Sequence, residues 1–248
     1  MYLGVVIIFK MRRVAHMEET VKHQAIGIIA ATEFEITPFL QKVTDDRITT
    51  HARLNFHEGR CGDIPIVALF CGVCKVNAAI AAQVLISTYD VSKVIMIGIA
   101  GAIDTSLNIL DTVISKEVAY HDVEDEILVR FHPWMEQPYF IADQDLLNAL
   151  MIANADDKTV LAGKIVTGEA FIDQDGREAI IKKHNPQCVD METASVAHVC
   201  YVNQIPFIAI RSISDTPHES GNESFAKYAR AAAGKSIQVL DRYFSLIK

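Results

Sequence analysis

Three carboxylates stand at positions where they could do chemistry together. Glu35 follows the apolar run Ala25-Ile-Gly-Ile-Ile-Ala30, Glu192 follows Val189-Asp-Met, and Asp215 ends the run Ile208-Ala-Ile-Arg-Ser-Ile-Ser. Short β-branched apolar runs read as buried strands, and ligands of open α/β sheets collect at carboxyl strand ends. The stretch Val189 to Asp215 organises the chain, because a helical segment from Thr193 to Gln204 and a strand over Pro206 to Ile210 separate its two acids. Both acids then aim at one crevice, with Arg211-Ser-Ile-Ser214 emerging beside them. Placed so, a carboxyl group can hold a proton, take one, or stabilise a developing cation. Plainer readings stand beside these. Glu192 can simply support a helix start and Asp215 a turn, and early-helix acids explain either Glu33 or Glu35 without choosing between them.

Other motifs are weaker. Cys71-Gly-Val-Cys74 has redox or metal spacing, but no second pair follows, and the motif opens an Ala-rich helix after a strand. A small-residue turn fits better. Gly98-Ile-Ala-Gly101 lacks dinucleotide-binding spacing. It reads as a tight turn after the strand Val94 to Ile97, letting a ligand lie against the main chain. Tyr120-His121-Asp122 closes a strand over Thr112 to Ala119. No nucleophile of elbow type accompanies the His-Asp pair, so a structural role is expected. Phe171, in Gly168-Glu-Ala-Phe-Ile172, is either core or an exposed ring for stacking on a planar base.

These residues need a scaffold that alternates. Strands are expected over Ala25 to Ala30, Arg53 to Phe56, Ile64 to Phe70 and Lys164 to Thr167. The turn signal Cys61-Gly-Asp63 joins the second and third in a hairpin. A helix bearing Ile36, Phe39 and Leu40 follows the first strand, and an amphipathic helix spans Asp143 to Ala155. After a polar Pro/Gly loop, Thr216 to Asn222, a long helix runs from Glu223 to Ile247. Phe225, Tyr228, Ala232, Ser236, Val239, Leu240, Tyr243 and Leu246 form its buried stripe. Alternation with glycine turns implies a three-layer α/β/α sandwich around a central mixed sheet.

At 248 residues one large domain is expected. A net charge of -8 without a Lys/Arg block argues against nucleic-acid or membrane-surface partners and for a small-molecule ligand. Five cysteines form no disulfide framework, so a reducing cytoplasm is the natural compartment. Met1 to Phe9 is apolar, but its basic residues follow the run, and it is too short to span a bilayer. Residues 1–24 read as an extension without catalytic consequence, and 25–248 as the working domain.

Several separated motifs, in order, resemble the 5'-methylthioadenosine/S-adenosylhomocysteine nucleosidases of the purine nucleoside phosphorylase-like superfamily. They are Ala25-IGIIAATEFEI, Cys71-GVCKVNAA, Ile97-GIAGAI, Gly168-EAFI, and VDMET followed by RSISD, where the family carries VEMEA and RAISD. The resemblance implies a nucleoside phosphorylase-like fold and hydrolysis of the N-glycosidic bond of an adenine nucleoside, without metal or organic cofactor. It implies Asp215 as proton donor to purine N7, Glu192 as ribose anchor and charge stabiliser, and Glu35, rather than Glu33, as activator of the attacking water. It also implies that Arg211 holds the water or the Glu35 carboxylate. Met191 packs on the ribose, Phe171 and Ile172 with Ser214 serve the base site, and Phe225 closes over the ligand. Thr32 stands where the family commonly has Met, near the 5' substituent. Cys71 and Gly72 belong to a turn that usually reads Ser-Gly-Ile-Gly-Lys, so Cys71 replaces the serine and Cys74 the second glycine. A homodimer is implied, completing the 5' pocket. The substituent there stays open among methylthioadenosine, adenosylhomocysteine, 5'-deoxyadenosine and aminodeoxyfutalosine. The rivals are a phosphorylase of the same fold, disfavoured because Glu33 and Glu35 would repel phosphate, and a non-catalytic nucleoside-binding protein.

Overall fold

A computed structural model describes residues 24–132, 135–173, 175–218 and 221–248. The expected extension and part of the polar loop at 216–222 lie outside them. Ten strands and seven helices are formed by these residues. In chain order they are β1 (Ala25–Ala30), α1 (Glu33–Leu40), β2 (Thr44–His51), β3 (Leu54–Cys61), β4 (Ile64–Phe70), α2 (Lys75–Thr88), β5 (Val91–Ala102) and β6 (Thr112–Tyr120). There follow α3 (Asp125–Phe131), β7 (Tyr139–Ile141), α4 (Gln144–Ala153), β8 (Val160–Thr167), α5 (Arg177–His184), β9 (Cys188–Asp190), α6 (Thr193–Asn203), β10 (Phe207–Asp215) and α7 (Gly221–Leu246).

The sheet is mixed, in the order β10-β6-β8-β9-β5-β1-β4-β3-β2. β10 also pairs with β5, so five strands close on themselves and β1, β4, β3 and β2 extend from the ring. Helices cover both faces, giving the expected three layers. Ala78, Ala81, Ala82 and Leu85 of α2 pack with Ala194, Val196, Ala197 and Cys200 of α6 on one side. Ile36 and Phe39 of α1, Leu146 and Leu150 of α4, and Ile237, Leu240 and Tyr243 of α7 pack on the other. Strands covered on both faces read as continuous apolar runs, and all nine residues of β10 are buried.

Two expected turns are strand instead. β10 continues through Arg211-Ser-Ile-Ser-Asp215, and β5 through Gly98-Ile-Ala-Gly101, because each pairs with the other along this length. β2 carried no apolar alternation and went unseen. It is an exposed edge strand held by antiparallel pairing with β3. Arg53 belongs to the turn between them, where Ala52 and Arg53 take φ of 50° and 65°, a hairpin geometry usually signalled by Asn-Gly. The β3–β4 hairpin forms at Gly62-Asp63 as expected. On α7 the buried stripe holds from Ala232 to Tyr243, but Phe225 and Leu246 are exposed.

Candidate active site

The carboxyl ends of β1, β5, β8, β9 and β10 meet at one pocket. It is lined by Thr32, Glu35, Phe171, Ile172, Met191, Glu192, Ser214, Asp215 and Phe225, all expected, and by residues the sequence did not single out, notably Val73, Ile99 and Asp190. β9 runs antiparallel to β5 but meets it only at Gly101 and Ala102, the last two residues of β5. That crossing brings Glu192 over the same end as Asp215.

Glu35 is placed by its own helix start. Its carboxylate reaches back to accept from the Thr32 N–H at 2.7 Å and the Thr32 hydroxyl at 2.6 Å, the acidic half of a capping box. It also accepts from the Ile99 N–H at 3.0 Å. Gly98 admits this contact: a Cβ there would lie 2.4 Å from Glu35 Oε1 and 2.5 Å from Arg211 Nη1. The glycines of β5 therefore make room for catalytic-site side chains as well as for a ligand, since a Cβ on Gly101 would sit 2.7 Å from Asp215 Oδ2. Glu33 is exposed and points away from the pocket, so only one of the two acids could meet an incoming anion.

Arg211 does not line the pocket. It lies behind it, fully buried, because its strand position is internal to β10. Its Nε is 2.8 Å from Asp190 Oδ2, its Nη2 3.4 Å from Glu192 Oε2 and its Nη1 3.9 Å from Glu35 Oε1. It thus pairs closely with Asp190, more loosely with Glu192 and most distantly with Glu35. Asp190 is the residue sequence reasoning missed. It accepts from Arg211, from the Thr167 hydroxyl at 2.6 Å and from the Glu192 and Thr193 N–H groups at 3.2 and 3.1 Å. Capping of α6 is therefore the work of Asp190, and Glu192 is left free of that task. The acid at the matching place in VEMEA was the available signal.

Glu192 is buried and accepts from the Cys74 N–H at 3.0 Å. Burial pushes its carboxyl up, to about 7, against the pull of Arg211. Cys74 takes φ 83° and ψ 161° to aim that N–H, a conformation that suits glycine and costs another residue about 1–3 kcal/mol. Cys71 is buried outside the lining, with its thiol donating to the Gly72 carbonyl at 3.0 Å. Burial pushes that thiol well up, which makes it a neutral turn residue. Gly72, at φ 85°, bends the chain and also does not line the pocket.

Asp215 ends β10 with its carboxyl accepting from the Ser214 hydroxyl at 2.7 Å. Burial raises its pKa, Asp173 adds to the rise, and the Ser214 bond and the Arg177 charge oppose it. Phe171 is 44% exposed and meets Phe225 edge-on at 6.2 Å. Neither ring belongs to the core, so the pair walls the pocket mouth. His121 and Asp122 stay outside. Asp122 holds Lys75 at 2.8 Å and the Glu169 N–H at 2.9 Å, and His121 packs on Gly168.

Known proteins share this fold. The phosphorylase superfamily matches residues 25–245. The 5'-methylthioadenosine/S-adenosylhomocysteine nucleosidase of Staphylococcus saprophyticus is 34% identical over 90% of this chain and 100% of its own length. The Colwellia psychrerythraea enzyme of that name, solved with adenine, superposes with a TM-score of 0.81 at 31% identity, covering 91% of this chain and 96% of that one. The futalosine hydrolase of Helicobacter pylori gives a TM-score of 0.83 at 26% identity, over 91% and 99%. This chain belongs to the phosphorylase superfamily and, within it, to the 5'-methylthioadenosine/S-adenosylhomocysteine nucleosidases.

Proposed function

We propose that this chain hydrolyses the N-glycosidic bond of 5'-methylthioadenosine and S-adenosylhomocysteine, releasing adenine and the 5-thioribose product, with futalosine-type nucleosides as further substrates of the same pocket. One observation carries the reading. Glu35, Glu192 and Asp215 face one pocket walled by an aromatic pair, and no Lys, Arg or His is among the described residues lining it. Cleavage leaves positive charge on the ribose and negative charge on the base. Asp215, whose burial favours the protonated form, donates to N7 as the bond between C1' and N9 breaks. Glu192, ionised, accepts from the ribose hydroxyls and stabilises the oxocarbenium-like sugar. Glu35 takes a proton from water as its oxygen bonds C1'. Arg211 acts from behind by fixing the carboxylates.

A phosphorylase needs cationic groups where its nucleophile sits, whereas an anion entering this pocket meets Glu35 and Glu192. The enzyme is further proposed to act in the cytoplasm, in methionine salvage, as a homodimer with residues 25–248 as one domain. A net charge of -8 repels a polyanion such as nucleic acid and leaves a small nucleoside as the suitable ligand. The test is adenine release from methylthioadenosine with and without inorganic phosphate. Equal rates and a free reducing sugar are expected; strict dependence on phosphate would replace hydrolysis by phosphorolysis.

A further inference from the structure

Arg177 is a buried cation that helix chemistry does not call for. It opens α5, where the macrodipole favours anions, and it is only 8% exposed. Its Nη2 donates to the carbonyls of Ala102 at 2.6 Å and Ile103 at 2.8 Å, at the carboxyl end of β5. One residue earlier, Gly101 lies flat against Asp215, with room for that carboxyl only because it lacks a Cβ.

We propose that Arg177 is a positioning residue for the proton donor: it clamps the β5 end against which Asp215 lies and keeps a positive charge beside that carboxyl. The inference rests on the nucleosidase reading. Neutral carbonyls satisfy donors but do not offset a buried positive charge, and the carboxyl groups whose charge Arg177 feels are those of Asp215 and Asp173. Around Asp215 the charged or titratable groups are Arg177 from α5, Asp173 from the segment before it, and the buried Cys188 thiol from β9. A general acid works best when its pKa lies near the working pH. Burial raises the Asp215 pKa, and the nearby cation opposes that rise.

The pH profile of kcat/KM for adenine release tests this, with melting temperatures confirming the fold. Asp215 must be protonated, so activity falls on the alkaline side. Arg177→Gln keeps an amide donor for the carbonyls but removes the charge, and should move that limb upward by roughly half a pH unit or more. Arg177→Lys should return the limb to its wild-type place. Asp173→Asn, at a half-buried position, should move the limb downward. The acid limb, set by Glu192, should stay put in all three. Lower rates with an unmoved alkaline limb in both Arg177→Gln and Asp173→Asn would reduce Arg177 to a structural clamp and overturn the proposal. Wild-type enzyme that releases no adenine would instead overturn the function on which it rests.

Discussion

The two ends of the pocket are built on opposite principles. At one end Glu35 accepts three hydrogen bonds, Glu192 accepts from Cys74 and Arg211, and Asp190 joins Arg211 to the start of α6. At the other, Asp215 accepts from its neighbour Ser214 and stands beside a wall of Phe171 and Phe225. Buried charges persist only when paired and hydrogen-bonded, and otherwise neutralise. Donors crowd Glu35, Glu192 and Asp190, and at Glu192 the pull of Arg211 and the Cys74 N–H works against a burial that still lifts its carboxyl to about 7. Asp215 is raised by burial with the Ser214 hydroxyl and the Arg177 charge opposing it. The two ends thus differ in how many donors oppose burial, and that difference is what the proposed roles require.

Breaking the crowded end should have the larger effect. Arg211→Met leaves three buried carboxylates facing one another and should cost about 3–5 kcal/mol of folding stability, read from urea denaturation midpoints. An unchanged midpoint would show that the carboxylates are solvated or protonated and that the two ends do not differ. Asp215→Asn should act on rate instead. Because its folded pKa is raised, ionised Asp215 works against the fold once pH exceeds the unfolded value of about 3.9, so the amide should leave stability at neutral pH unchanged or higher. Adenine release should fall by about 10²–10⁴, equivalent to roughly 3–5.5 kcal/mol of barrier. An activated aryl riboside, whose leaving group needs no proton at N7, should lose far less. Equal losses on both substrates would make Asp215 an electrostatic or structural group.

The Asp215 end was placed more readily because its signals are local. Phe171, Ile172, Ser214 and Asp215 sit in two short motifs after apolar strand runs, though the residues alone left Phe171 between core and pocket and Asp215 between chemistry and a turn, and only the resemblance chose. The crowded end was only partly legible. Choosing Glu35 over Glu33 needs the helix phase, which exposes one and buries the other. Arg211 reads as a residue beyond a strand until its pairing with β5 shows it inside one, and Asp190 acquires its role only when β8, β9 and β10 meet. Contacts made across such separations leave no period or spacing in the chain. The ring closure through β10 and β5 is hidden for the same reason, since each strand looks like any other buried strand.

Cys71 gives the mildest and sharpest test of the crowded end. It lies close enough to Glu192, Glu35 and Arg211 to feel their charges, yet its thiol is turned to the Gly72 carbonyl and away from the pocket. In Cys71→Ser the hydroxyl inherits that carbonyl acceptor, so no buried donor is stranded and the usual penalty of about 1–3 kcal/mol for an unmade bond is avoided. Stability should change little, and kcat and KM should each stay within a few-fold of wild type. The outcome that matters is direction. A drop of several orders of magnitude would mean that the thiol does chemistry of its own and would revive the C-x-x-C reading of Cys71 and Cys74. A large gain in kcat would mean that a hydroxyl at this position reaches the water or ribose beside Glu35, so that the crowded end, for all its donors, lacks one that its relatives carry.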